Sequence, residues 1–281
     1  KGLCLAFTEE EEKLLNERSK VRKEYGADIK IISKSEALKI DSSINHEIKC
    51  AALCEMDGYV SANQTGDAYS KALKENNVDI VENFEVSNIN NSNNVYEIIA
   101  KDGKRIHANK IVLATGVYLE KILKLLNIKI KIKCFPQQLI VTERMPELLK
   151  TVITVAHGKL SLKQFENGTV LIGGGWPGIG NIEDNYTETK PENLIGNMRL
   201  ACHAIPNLKN SRVSRVWLGL EAETDDAMPI IGELPNLKNA FIIGSIHSGY
   251  TSGPYMGKLL SEKILGKDVD LSLFDIRRLM N

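Results

Sequence analysis

Apolar and polar positions change period several times along this chain, and each change marks an element. Thr8 with Glu11 three residues on forms a capping box, and Leu14, Leu15, Val21 and Tyr25 fall on one stripe behind it, which predicts a helix. Ser33 with Glu36 repeats that pattern for a shorter helix. Ala68, Ala72 and Leu73 predict another helix through Asn76, leading into a strand at 78–81. Runs at 84–89, 95–100 and 105–108, separated by an asparagine cluster and by Asp102-Gly103, read as an antiparallel meander. The apolar run 111–114 reads as a buried strand, and Leu119, Ile122, Leu123 and Leu126 follow at helical spacing.

From 134 to 217 strands dominate, at 139–142, 152–156, 160–165 and 169–172. Asn167-Gly168 joins the last two and predicts a hairpin turn with both residues at positive φ. A helix at about 192–204 interrupts before strand returns at 212–220. Near the end a buried strand at 241–243 runs into a glycine loop and a helix beginning near Pro254. The fold class is therefore α/β (α+β mixed), a cofactor domain interleaved with an antiparallel-sheet substrate domain.

Composition narrows the function classes. In 281 residues, 36 lysines and arginines balance 36 aspartates and glutamates, which argues against a nucleic-acid or anionic-membrane partner. No apolar run approaches the roughly 20 residues of a membrane helix, so no membrane insertion is expected. With no leader pattern after Lys1, a soluble cytoplasmic protein is the expectation. Cys4, Cys50, Cys54, Cys134 and Cys202 are odd in number and scattered, as suits reduced thiols. The Cys50/Cys54 spacing lacks partner ligands, and His46, His107, His157 and His203 fit neither a triad nor a metal set. No metal is expected, and no catalytic nucleophile or acid–base pair stands out.

Three glycine-bearing stretches carry candidate chemistry. Gly173-Gly-Gly-Trp-Pro-Gly satisfies the spacing of a dinucleotide fingerprint, but Pro177 and the polar run after Gly180 do not open a helix, so a loop at a sheet end is expected. Ala114-Thr115-Gly116 follows a buried strand, where small residues permit either a nucleotide close to the chain or tight strand–helix packing. In Ala240-Phe-Ile-Ile-Gly-Ser-Ile-His-Ser-Gly-Tyr-Thr-Ser-Gly-Pro-Tyr-Met-Gly, a strand meets a glycine loop and a helix N-terminus with unpaired N–H donors, which suits an electron-rich ring edge.

That last stretch, together with Gly2-Leu-Cys-Leu-Ala, Asp57-Gly-Tyr-Val, Ile111-Val-Leu-Ala-Thr-Gly, Gln138-Leu-Ile-Val-Thr-Glu, Arg215-Val-Trp-Leu-Gly-Leu-Glu and Ser272-Leu-Phe-Asp-Ile-Arg-Arg, resembles the D-amino acid oxidase-like family of FAD-dependent oxidoreductases. That family includes glycine oxidase, sarcosine oxidase beta-type subunits, and hydrogen cyanide synthase and opine or hydroxyproline dehydrogenase subunits. The resemblance implies a Rossmann-like FAD-binding domain over 53–127 and 225–281, and a substrate domain over 1–52 and 128–224. By the same resemblance Val86 meets the adenine through its main chain. Ala114, Thr115 and Gly116 lie beside the dinucleotide, and Ser245, Ile246, His247, Ser248, Gly249, Tyr250 and Thr251 hold the isoalloxazine. The family's pyrophosphate loop belongs upstream of Lys1, so the expectation is either a fragment boundary at that residue or a true absence of the loop.

The chain departs from the family pattern where substrate is bound. Glu221 follows Gly219-Leu220 where glycine-oxidase-like members carry a carboxylate-binding arginine; it either receives a cationic amine or is a solvated strand-end charge. His247 stands where some relatives place a second arginine, and either substitutes for it or is structural. Pro136-Gln-Gln138 replaces Arg-Gly-Gln and removes a charged contact. The function implied is FAD-dependent oxidation of the C–N bond of a small amine or amino acid to an imine, by hydride transfer to flavin N5, with room for electron-accepting partner subunits. The alternative is a non-catalytic or accessory subunit of a flavoprotein complex, lacking its own pyrophosphate loop.

Overall fold

The structure is a computed structural model and describes residues 1–183, 186–244 and 247–280. In chain order the elements are β1 (Gly2–Ala6), α1 (Glu9–Glu24), β2 (Ile29–Ser33), α2 (Lys34–Ile40), β3 (Cys50–Cys54), α3 (Ala62–Glu75), β4 (Val86–Ser92), β5 (Val95–Ala100), β6 (Arg105–Ala108), β7 (Ile111–Leu113) and α4 (Leu119–Leu125). There follow β8 (Lys133–Thr142), β9 (Val152–Val155), β10 (Ser161–Gln164), β11 (Val170–Gly173), β12 (Ile179–Asn181), β13 (Tyr186–Glu188), α5 (Pro191–Ala204), β14 (Val213–Glu223), β15 (Ile230–Glu233), β16 (Ala240–Gly244) and α6 (Gly249–Ile264). No described helix is long and apolar enough to cross a membrane.

The chain forms two compact units, Lys1–Lys71 with Pro136–Gly219 and Ala72–Phe135 with Leu220–Asn281. The first unit is built on an eight-stranded sheet in the order β14-β8-β11-β10-β9-β1-β3-β2. It is a mixed sheet, because β1 runs parallel to β9 and antiparallel to β3. Alternate residues Leu3, Leu5, Ile153, Leu162 and Ile172 line one face and bury against Ala201 and Ala204 of α5 and Ala37 of α2. Both capping boxes are formed: Thr8 Oγ1 accepts from Glu11 N while the Glu11 carboxylate accepts from Thr8 N, and Ser33 with Glu36 does the same.

Several local expectations are corrected. The β10–β11 connection is five residues, 165–169, with Gly168 at φ 88° and no positive φ at Asn167. Asn167 Oδ1 instead accepts from the Thr169 backbone and hydroxyl, holding a turn in which Gly168 alone adopts the left-handed conformation. Residues 78–81 form no strand, and Val78, Ile80 and Val81 are 45%, 45% and 53% exposed. Their β-branched side chains suit a strand, but a strand also needs a neighbour, and none pairs with them among the described residues. Helix α6 begins at Gly249, and Pro254 lies inside it. At Gly173-Gly-Gly-Trp-Pro-Gly no helix opens: β11 ends at Gly173, and the Trp176 indole N–H donates to Lys159 O at 2.8 Å. Its ring lies against Gly196 of α5, where an added Cβ would stand 2.5 Å from it.

The second unit holds two three-stranded sheets, β15-β16-β7 and β4-β5-β6. Strands β16 and β7 are parallel, and β15 joins β16 antiparallel. Tyr96 is fully buried in this core beside Ile111, Leu113, Leu119 and Ile242, and its hydroxyl donates to Lys238 O at 2.7 Å. Arg278, near the C-terminus, fastens the loop after β14. Its Nε donates to Asp226 Oδ2 at 2.7 Å, and Nη2 reaches the carbonyls of Met228 and Pro229 at 2.8 and 2.9 Å. The Arg278 hydrogen bond, aided by those from Thr224 and Met228 N, holds the Asp226 carboxyl well below the usual carboxylate range.

A carboxylate with a depressed folded-state pKa stabilises above its unfolded pKa of about 4, and that contribution is lost as pH falls. Arg278→Ala is expected to cost about 1–2 kcal/mol at neutral pH, a figure held down because Asp226 is partly solvated. The penalty should shrink in denaturant titrations carried below pH 4. A penalty unchanged at acid pH would show that Asp226 is not the partner that matters.

Candidate functional site

The candidate cofactor segments meet at one edge of a parallel strand pair. Leu113 of β7 stands in register with Ile242 of β16, so both strands end on the same side of the sheet. Ala114-Thr115-Gly116 therefore leaves the sheet beside Ile243 and Gly244. Carboxyl ends of neighbouring parallel strands are where open α/β sheets take their ligands. Leu119, at the start of α4, closes the back of this corner: a Cβ added at Gly244 would lie 2.6 Å from its Cδ2. A larger residue at 244 would push the two strand ends apart.

The corner fits an electron-rich ring system. Thr115 Oγ1 is buried and has no hydrogen-bond partner among the described residues, a polar group in need of one. Gly116 has φ 55°, and nothing among the described residues lies within 4 Å of where its Cβ would be, so the backbone is open to close approach. Among the described residues nothing lies within 4 Å of the Cβ positions of Gly249 and Gly253 either. Ser248 is the N-cap of α6 in the left-handed conformation, φ 58° and ψ 44°, and its side chain caps no helix N–H. The N-terminus of this 16-residue helix keeps partial positive charge available to an acceptor.

The remaining sequence candidates fall as follows. Val86 is the first residue of β4, half-buried against the core that holds Ile111, Leu113 and Leu119. Its backbone pairs with Ala100, and the pairing is irregular between Val86 and Asn88. Gly249, Tyr250 and Thr251 form the first turn of α6 and are exposed. Ser245 and Ile246 lie outside the described residues.

Glu221 and His247, singled out separately in the sequence, come together: His247 Nδ1 stands 3.0 Å from Glu221 Oε1. Glu221 projects from β14 and His247 precedes α6, so the pair links the strand to the loop of the candidate cofactor corner. Nothing local in the sequence announces this pairing, because the contact joins different elements. The Asp226–Arg278 clamp goes unannounced for the same reason. No group of three or more His, Cys, Asp or Glu side chains suited to a metal occurs among the described residues.

Comparison with known proteins gives this geometry a context. The profile of the FAD dependent oxidoreductase (DAO) family matches residues 1–263. Hydrogen cyanide synthase subunit HcnC of Pseudomonas protegens is 28% identical over 240 residues, 82% of this chain and 55% of that protein. Glycine oxidase of Geobacillus kaustophilus is 23% identical over 283 residues, covering 99% of this chain and 74% of its own. Among solved structures, L-proline dehydrogenase from P. horikoshii superposes with a TM-score of 0.89 at 25% identity, over 99% of this chain and 75% of that one. The chain thus spans little more than half of the HcnC subunit's length.

Proposed function

The chain belongs to the FAD-dependent oxidoreductase family of the D-amino acid oxidase type, and on that premise we propose that it takes part in oxidising the C–N bond of a small amine or amino acid to an imine. The observation that carries the proposal is the corner where β7 and β16 end together, with the orphaned Thr115 hydroxyl on one side and the open N-terminus of α6 on the other. FAD, when bound, supplies the two-electron acceptor for this oxidation. Ala114, Thr115 and Gly116 hold the nucleotide close to the backbone, Val86 borders it from β4, and His247 to Thr251 face the ring. Cofactor binding is accordingly assigned to the unit containing Ala72–Phe135 and Leu220–Asn281.

The chain's own groups set orientation and electrostatics. The dipole of α6 favours negative charge at its N-terminus, and pre-placed donors of this kind do not have to reorganise during reaction. Glu221 and His247 border the substrate amine at the end of β14. Electron-accepting partner subunits are part of the proposal, supported by the relative named as a subunit.

The test is an anaerobic titration of the FAD-loaded protein with a panel of amines, amino acids, imino acids and opines. Bleaching of the flavin bands by one class is expected. A flavin that stays oxidised against every member would remove the oxidoreductase reading and favour an accessory subunit. A second expectation concerns the cofactor alone: Gly116→Val, which forces a β-branched residue to φ 55°, should weaken FAD binding about tenfold, read by flavin fluorescence. Unchanged affinity would show that this backbone does not approach the cofactor.

A further inference from the structure

His247 Nδ1 and Glu221 Oε1 stand 3.0 Å apart, an imidazole beside a carboxylate. Resting on the amine-oxidation reading above, we infer that His247 is the catalytic base that takes a proton from the substrate ammonium, with Glu221 as its positioning residue. The chemistry requires such a group. An amine that is protonated near neutral pH has no lone pair on nitrogen, and the C=N bond of an imine forms only when that lone pair is available. Something must remove the proton before the C–N bond is oxidised.

His247 is placed to do this. Its Nδ1 lies 3.0 Å from Glu221 Oε1, close enough for the carboxylate to hold a proton on Nδ1 and leave the lone pair on Nε2. Its side chain is 61% exposed, so Nε2 is open to a ligand, while Glu221 is half-covered. The base is oriented by a third group, as in other enzymes where a carboxylate fixes an imidazole. In the step, one N–H bond of the ammonium breaks and one Nε2–H bond forms. The imidazolium is stabilised by Glu221 and later returns the proton to water. No electrons move in this step, and no oxidant is needed for it.

An arginine at either position cannot act in this way, because its guanidinium stays protonated. His247 directly precedes Ser248, the N-cap of α6, so the base stands beside the proposed ring contacts from Ser248 to Thr251.

The test uses the FAD-loaded protein and three measurements. First, ¹⁵N NMR of the His247 imidazole in the unsubstituted protein should place the proton on Nδ1 and leave Nε2 bare; a proton on Nε2 overturns the inference whatever the variants do. Second, His247→Gln keeps a polar side chain but cannot take the proton. It should slow anaerobic flavin bleaching by about 10²–10³-fold while substrate affinity stays within about threefold. Third, that deficit should shrink for a substrate analogue whose amine is weakly basic and already unprotonated, which a merely structural role for His247 would not produce. Bleaching of the variant at the unsubstituted rate, or an equal deficit with both amines, overturns the inference and leaves the oxidoreductase reading intact. If no amine bleaches the unsubstituted protein, the oxidoreductase reading fails first. Should His247→Gln lose its flavin, the tautomer in the unsubstituted protein decides alone.

Discussion

Asp41→Ala is expected to destabilise the first unit by about 3–5 kcal/mol, a large fraction of a typical domain's stability. Asp41 is 1% exposed, and both of its carboxylate oxygens are in use. Oδ1 accepts from the Ser43 backbone at 3.2 Å and from its hydroxyl at 2.6 Å. Oδ2 accepts from Lys150 N at 2.9 Å and from the Thr151 hydroxyl at 3.2 Å. The residue thus closes the end of α2 and ties it to the segment entering β9. Removing the carboxylate strands four donors and leaves a cavity as well. Asp41→Asn is the informative control, because its amide presents donors where Oδ2 now accepts. It should recover only part of the loss. Chemical denaturation of the three proteins checks this, and an alanine variant within 1 kcal/mol of the parent would show that water replaces the carboxylate at about no cost.

Gly174→Ala should cost about 3–4 kcal/mol, whereas Gly175→Ala next to it should cost about 1 kcal/mol. Both glycines have positive φ, 120° and 75°, so the backbone conformation penalises each. Their surroundings differ. A Cβ at Gly174 would stand 2.5 Å from both the Cα and the N of Leu160, main-chain atoms that no side-chain rotation can move aside. A Cβ at Gly175 meets nothing within 4 Å. The contrast separates glycine used for packing from glycine used for turning. It also bears on function: Gly173-Gly-Gly-Trp-Pro-Gly is packed onto the β10 approach rather than held open for a phosphate, so FAD affinity per folded molecule should be unchanged in Gly175→Ala. Equal thermal shifts for the two variants would contradict this account of the loop.

What was legible in the sequence follows from how local each determinant is. Thr8 with Glu11 and Ser33 with Glu36 announced two helices because a capping box is complete within four residues. The meander of β4, β5 and β6 was legible because alternating runs were broken by asparagine and Asp-Gly pairs, and Asn93 and Asn94 do adopt positive φ. The strand expected at 78–81 failed because apolar, β-branched residues state a preference for a strand without supplying its neighbour. The start of α6 was misplaced because proline favours a first turn, while the left-handed Ser248 that opens this helix carries no residue-type marker.

The candidate site divides along the same line. Ala114, Thr115, Gly116 and the loop before α6 were each recognisable as small-residue strand ends, but their meeting depends on the parallel register of β7 with β16, a non-local property. Glu221 and His247 were noticed as departures from a family pattern. Their 3.0 Å contact, which turns two unexplained residues into one device, needed the fold.

The measurement that tests the account most directly is the visible absorption spectrum of the protein purified from its complete reading frame, before and after added FAD. The account predicts oxidised-flavin bands and about one FAD released per chain on denaturation, as expected of a protein whose fold is organised around the cofactor. A protein that shows no flavin bands and takes up no FAD would contradict it.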